Sequence, residues 1–113
     1  MIKIYHNNRC RKSREGLEII ENSGKEFEIV SYLDNPPTIE ELNQLIKLLG
    51  ITPIELVRTN ESIWKEKYKN VKLSDDEIIE LMAINPKLIE RPIVVNDGKA
   101  VVGRPPEKIK SIL

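Results

Sequence analysis

The sequence predicts an α/β protein with a mixed four-stranded sheet, built from a β-α-β unit near the N-terminus and a β-β-α unit near the C-terminus. Two observations lead to this prediction. Short strand patterns occur towards both ends of the chain, at residues 2–5, 26–30, 93–95 and 99–102. The stretch between them carries the periodicity and the capping signals of helices. We therefore expect one domain, residues 1–113, with a helical insertion at about 38–90.

The N-terminal elements follow from alternation and helical spacing. Ile2 and Ile4 alternate with Lys3 and Tyr5, which is the pattern of a half-buried strand. From about residue 11 the apolar positions take up helical spacing, and Gly24 is a natural left-handed end to that helix. Residues 26–30 alternate again and predict a second strand.

Capping boxes and glycine or proline stops mark the central helices. In each box a Ser or Thr precedes a Glu by three positions: Thr38 and Glu41, Thr52 and Glu55, Ser74 and Glu77. Gly50 ends the first of these helices and Pro86 ends the last, whereas residues 52–71 read as short helices or turns.

The C-terminal elements are a hairpin and a last helix. Asn96-Asp97-Gly98 separates two β-branched runs and is a strong hairpin signal. Pro105-Pro106 opens a final helix with Ile109 on its inner side. The complete order, β-α-β, helical insertion, β-β-α, is the plan of the thioredoxin fold.

Thioredoxin-like proteins keep a reactive cysteine after the first strand, where Cys10 lies. The N-terminus of a helix presents free N–H groups and a partial positive charge, which favour a thiolate. Arg9, Arg11, Lys12 and Arg14 add four cations next to it in sequence. From the residues alone, Cys10 could instead be a small buried apolar residue. The cationic surroundings favour a reactive nucleophile.

Composition excludes several classes of function. The 18 basic and 18 acidic residues balance to a net charge of zero, so neither nucleic acid nor a membrane is expected as a partner. One cysteine cannot form an internal disulfide, and one Cys with one His cannot close a structural zinc site, so we expect no metal and no bound cofactor. Without a signal-peptide pattern or an apolar span, we expect a cytoplasmic protein. We also expect a monomer.

Several stretches, in this order, resemble the glutaredoxin-coupled arsenate reductase family, which also includes Spx-type transcription regulators and uncharacterised members. The resemblance covers nearly the whole chain. The stretches are Ile4-Tyr5-His6-Asn7, Cys10-x-x-Ser13-Arg14, Tyr32-Leu33 with Pro36-Pro37-Thr38, Leu56-Val57-Arg58, Arg91-Pro92-Ile93-Val94-Val95 and Gly103-Arg104-Pro105.

The resemblance implies that Cys10 attacks the arsenic of arsenate, and that Arg58, Arg91 and Arg104 bind the oxyanion. Guanidinium groups suit this role because their fork of donors fits a tetrahedral anion better than an ammonium does. The alternative for each arginine is an ordinary surface charge or ion pair.

The resemblance also places supporting residues near the sulfur. Ser13 lies one helical turn from Cys10, so its hydroxyl could donate to the thiolate. His6 would favour the thiolate if it were protonated, or it could simply pack at the end of the strand. Arg14 belongs to the same motif. Pro92 holds the position of the fold's cis-proline, so we expect a cis Arg91–Pro92 bond.

Because no second cysteine can resolve an intermediate on Cys10, the resemblance implies glutathione as reductant and glutaredoxin as partner. The chain departs from the family at Asn8, where proline is usual, and at Arg11 and Lys12, where small residues are common; these changes could alter which anion fits. Ser13 in place of a second cysteine argues against an internal disulfide switch. Two alternatives stay open: an Spx-like, non-enzymatic module that binds RNA polymerase, and a glutathione-dependent thiol reductase with another substrate.

Overall fold

A computed structural model describes all 113 residues and divides the chain into two compact units. One unit comprises Met1–Asn35 and Arg91–Leu113, and the other comprises Pro36–Glu90. The first unit contains the sheet and the second contains only helices, 3₁₀ turns and one isolated β-bridge.

The sheet has four strands in the order β2-β1-β3-β4. The strands are β1 (Ile2–Tyr5), β2 (Phe27–Val30), β3 (Ile93–Asn96) and β4 (Lys99–Val102). β1 runs parallel to β2 and antiparallel to β3, and β3 and β4 form an antiparallel hairpin. The predicted mixed, thioredoxin-like sheet is therefore confirmed.

The hairpin turn has the backbone that its sequence predicts. Asp97 and Gly98 have φ values of 52° and 74°, so both lie in the left-handed region that two-residue hairpin turns of type I′ require. The core beneath the sheet is formed by five buried aliphatic side chains from both strands and helices: Ile2, Ile4, Ile20, Val94 and Ile109.

Helix α1 (Arg11–Asn22) follows β1, and the last element, Pro106–Ile112, is a 3₁₀ helix. The sequence predicts a helix here without specifying the tighter winding. The 3₁₀ winding begins with a hydrogen bond between residues three apart, in which the Lys108 N–H donates to the Pro105 carbonyl at 3.1 Å. The two prolines at the start, Pro105 and Pro106, have no N–H to donate. Ile109 is fully buried, as predicted.

The second unit contains α2 (Ile39–Leu49), α3 (Ser62–Lys67) and α4 (Asp75–Ile84), with 3₁₀ turns at Pro53–Leu56 and Pro86–Leu88. The first and last predicted capping boxes are complete: the Glu41 N–H donates to Thr38 Oγ1 at 3.1 Å and the Glu77 N–H to Ser74 Oγ at 3.2 Å. Gly50 ends α2 with a φ of 68°. Buried apolar residues of this unit include Leu42, Leu45, Leu56, Ile78, Met82 and Leu88.

No helix in the structure combines the length and the apolar character that crossing a bilayer requires.

Candidate active site

Cys10 is the residue that precedes helix α1. Its backbone is extended, with φ −94° and ψ 122°, and its side chain makes no capping hydrogen bond. The first turn of α1 contains no acidic residue, so the positive end of the helix dipole is not compensated locally. The residue is only 7% exposed. Cys10 thus lies at the start of a helix, as the sequence predicts, and is also buried, which the sequence suggested only as the alternative.

Asn7 organises the loop that carries Cys10. Its carbonyl accepts from the Cys10 N–H at 3.0 Å, and its Oδ1 accepts from the Arg9 N–H at 3.0 Å. Arg14 Nη1 donates to the Asn8 carbonyl at 3.0 Å and holds the same loop from the helix side. No role was predicted for Asn7, although an Asn side chain that bonds the backbone N–H two residues further on is a recognised turn signal.

Arg104 is the basic side chain that forms a hydrogen-bond contact with the sulfur. Its Nη1 is 4.0 Å from Cys10 Sγ and also donates to the Arg91 carbonyl at 3.3 Å. The chain brings these residues together because Arg91 lies two residues before the β3–β4 hairpin and Arg104 lies two residues after it. Of the three arginines singled out in the sequence, Arg104 therefore contacts the Cys10 sulfur, and its guanidinium also binds the backbone carbonyl of a second, Arg91.

Arg91 has a buried donor without a partner: its Nε makes no hydrogen bond. Leaving such a donor unpaired costs about 1–3 kcal/mol, so proteins rarely do so without a reason. An anion bound by Arg91 would remove this cost.

The basic residues beside Cys10 in sequence point elsewhere. Arg11 and Lys12 pair with Glu15 at 3.0 and 3.8 Å, and the Arg11 side chain is 83% exposed. None of the four flanking cations makes a hydrogen bond with the sulfur. The guanidinium within reach of Cys10 comes instead from a residue 94 positions away in sequence.

His6 and Ser13 form a buried pair behind the loop. His6 Nδ1 lies 2.6 Å from Ser13 Oγ, and the Asn7 N–H donates to the same oxygen at 3.0 Å. Burial lowers the pKa of His6 below its ordinary 6.5, and the nearby Arg14 lowers this pKa further, against opposing effects of Ser13 and Glu21. The lowered pKa favours the neutral imidazole, and the contact that the structure shows for this ring is the one with Ser13 Oγ.

Pro92 packs against two glycines. A Cβ on Gly16 would lie 3.1 Å from Pro92 Cγ, and one on Gly103 would lie 3.0 Å from it; each would also lie 2.8 Å from Ile109 Cδ1. The Arg91–Pro92 bond is cis, which confirms the prediction. The Arg104–Pro105 bond is also cis, which was not predicted.

Arg58 belongs to the unit Pro36–Glu90 and is held within it. Its N–H donates to the Leu88 carbonyl at 2.7 Å, and its Nη1 lies 2.8 Å from Glu61 Oε2. A second carboxylate, that of Glu90, lies 3.8 Å from its Nε. Arg58 therefore carries two acidic neighbours.

Comparison with known proteins identifies the family. The ArsC family model matches residues 5–112. The chain is 42% identical to an arsenate reductase of Neisseria meningitidis, over 99% of this chain and 97% of the relative. It is 46% identical to the uncharacterized protein YfgD of Escherichia coli, over 99% of this chain and 96% of the relative.

The fold comparison agrees with the sequence comparison. The solved structure of an arsenate reductase from Vibrio cholerae superimposes with a TM-score of 0.94 at 45% identity, covering 99% of this chain and 97% of that one. In the structure described above, no three His, Cys, Asp or Glu side chains converge to form a metal site. The family model and the near-full-length relatives show that this chain belongs to the ArsC family.

Proposed function

We propose that this protein reduces arsenate to arsenite, with Cys10 as the nucleophile and Arg58, Arg91 and Arg104 as the oxyanion site. The observation that carries the proposal is the 4.0 Å separation between Arg104 Nη1 and Cys10 Sγ in a chain of the ArsC family. A guanidinium there can stabilise negative charge both on the sulfur and on an oxyanion attacked by it.

The first step is attack of the Cys10 thiolate on the arsenic of arsenate. An S–As bond forms, and one arsenate oxygen leaves as water after it has taken up protons. Arg104 and the unpartnered Nε of Arg91 are suited to hold the remaining oxygens. Arg58 enters the proposal from the family resemblance, and its two carboxylate neighbours would orient its guanidinium.

The second step requires two electrons, which the chain cannot supply from one sulfur. An external thiolate attacks Cys10 Sγ, an S–S bond forms, and the electron pair of the S–As bond stays on arsenic, which leaves as arsenite. Two thiols are thereby oxidised to a mixed disulfide while As(V) becomes As(III). Because Cys10 is the only cysteine, we propose glutathione as this thiol and glutaredoxin as the partner that reduces the mixed disulfide.

The remaining site residues support the nucleophile. Ser13 and the neutral His6 fix the strand end that leads into the loop, and Arg14 holds the Asn8 carbonyl. Pro92 sets the position of Arg91. The reducing cytoplasm provides both glutathione and glutaredoxin, and we propose it as the location of the protein, which would act there as a monomer.

The test is an arsenite-release assay with arsenate, glutathione and glutaredoxin, using Cys10→Ser as the control. We expect turnover by the unmodified protein and none by the variant. No arsenite from the unmodified protein, with glutaredoxin shown to be active, would contradict the proposal and favour the binding-module alternative. Reduction of disulfides without any arsenate reduction would favour the thiol reductase alternative.

A further inference from the structure

We propose that a cavity beside the Cys10 loop binds the thiol co-substrate, as a peptide thiol that carries both an ammonium group and carboxylates. Glutathione is a thiol of this class. The inference rests on the proposed function, because it assigns a place to the external thiol that the second step requires.

The cavity lies within the unit that contains the sheet. It has a volume of about 370 Å³ and is lined by residues 6–9 of the Cys10 loop and by Ser31, Leu33 and Asp34, which follow β2. Small-molecule sites typically span roughly 300–1,000 Å³, so the cavity is large enough for part of a tripeptide. Most of its lining residues are polar, as a hydrophilic ligand requires.

The strand order places this cavity on the β2 side of the Cys10 loop. β2 and β3 flank β1 on opposite sides. The residues after β2 therefore lie on one side of the Cys10 loop, and Arg91, before β3, lies on the other. An incoming thiolate must approach sulfur opposite the bond that breaks. With arsenic held on the arginine side, a thiol bound in the cavity lies on the opposite side of the Cys10 loop.

Charge favours a zwitterionic ligand. Arg9 and Asp34 both line the cavity, and neither side chain forms an ion pair or a hydrogen bond within the protein. The backbone at both positions is nevertheless fixed: the Arg9 N–H donates to Asn7 Oδ1 at 3.0 Å, and the Asp34 N–H donates to the Ser31 carbonyl at 3.0 Å. A guanidinium can bind a ligand carboxylate and a carboxylate can bind a ligand ammonium.

Leu33 completes the fit. It is 37% exposed and lines the same cavity, so it offers an apolar contact for the methylene groups of a γ-linked glutamyl chain. The cavity thus presents an anion binder, Arg9, a cation binder, Asp34, and an apolar surface, Leu33, and Arg9 is the residue that precedes Cys10.

Thiol–disulfide exchange tests the cavity without arsenate. The Cys10 thiolate attacks glutathione disulfide, forming a Cys10–glutathione disulfide and releasing one glutathione thiolate. The same exchange with bis(2-hydroxyethyl) disulfide yields an uncharged adduct. The ratio of the two second-order rates, followed by mass spectrometry, measures recognition of the charged peptide and cancels changes in the intrinsic reactivity of Cys10.

We expect the unmodified protein to prefer glutathione disulfide. In Asp34→Asn and Arg9→Gln this ratio should fall by about tenfold, the order expected when a charge-assisted hydrogen bond to the ligand is lost. Glu18→Gln and Lys108→Gln are matched controls, because both residues are exposed charges of the same unit that lie outside the cavity. They should keep the wild-type ratio.

Equal rates with the two disulfides in the unmodified protein would overturn the inference, as would wild-type ratios in both cavity variants. The proposed function is tested separately by arsenite release. If the selectivity holds and no arsenite forms, the thiol site stands and the arsenate assignment falls. If arsenite forms with wild-type glutathione KM in both cavity variants, the thiol site is refuted and the arsenate assignment stands.

Discussion

Replacing Arg104 with alanine removes the guanidinium whose Nη1 lies 4.0 Å from Cys10 Sγ. Two unit charges 4 Å apart interact by about 1 kcal/mol in water and by about 4 kcal/mol at an effective dielectric constant of about 20. Arg104 is exposed whereas Cys10 is buried, so the interaction lies between these limits. Loss of an oxyanion donor costs a similar amount, about 2–4 kcal/mol. With about 1.36 kcal/mol for each factor of ten, kcat/KM for arsenate should fall about 30- to 900-fold.

The assay compares kcat/KM and the thermal midpoint in four proteins: the unmodified chain, Arg104→Ala, Arg104→Lys and Arg11→Ala. Lysine keeps the charge but loses the fork of donors, so kcat/KM of Arg104→Lys should lie between the values of the unmodified protein and of Arg104→Ala. Arg11 is the matched control, because it neighbours Cys10 in sequence but pairs with Glu15 on the surface. Its loss should change kcat/KM by no more than about twofold, as expected for an exposed pair.

The thermal midpoints separate chemistry from folding. An exposed arginine contributes little to folding, so the free energy of unfolding should change by less than about 0.5 kcal/mol in the Arg104 variants. Wild-type kcat/KM in Arg104→Ala would refute the reasoning. An equal loss in Arg11→Ala would show that general charge near the loop, rather than the 4.0 Å contact, determines the rate.

Three further predictions concern the supporting residues. Ser13→Ala removes the oxygen that bonds His6 and the Asn7 N–H, so unfolding in denaturant should show a loss of about 1–3 kcal/mol. The pKa of His6 is lowered in the folded state, so the unfolded state binds more protons once the pH falls below about 6.5. The free energy of unfolding should therefore decrease as the pH falls from about 6.5 towards the folded pKa. The difference between the thermal midpoints at about pH 7.5 and about pH 5.5 should be smaller in His6→Asn than in the unmodified protein. Gly103→Ala places a Cβ 2.8 Å from Ile109 Cδ1 and should destabilise by about 1–3 kcal/mol. That loss should shrink in an Ile109→Val background, which lacks this methyl group, and an unchanged loss would contradict the steric explanation.

The fold was predictable because its signals are local. Alternation of Ile2 and Ile4 with polar neighbours, the capping boxes at Thr38 and Ser74, and Asn-Asp-Gly at the hairpin each act over a few residues. They fix strand, helix and turn without knowledge of distant contacts. The winding of Pro106–Ile112 was missed because α and 3₁₀ helices share the same apolar face over two turns.

Most of the contacts within the candidate site could not be predicted from the sequence. Spacing alone suggests the Arg58–Glu61 pair, which is three positions apart on the chain, whereas Glu90 reaches Arg58 only through folding. The local sequence also suggests the wrong cations for the sulfur, because Arg11 and Lys12 follow Cys10 in sequence yet pair with Glu15. Long-range packing decides which cation lies beside the sulfur.

The lone cysteine also determines how the protein responds to peroxide. Oxidation of Cys10 gives a sulfenic acid, and many proteins rescue this species by forming a disulfide with a neighbouring thiol. This chain has no other thiol, so rescue requires one from solution; otherwise oxidation proceeds to the irreversible sulfinic acid. Survival of the protein under oxidative stress therefore depends on the supply of small thiols and on their access to Cys10.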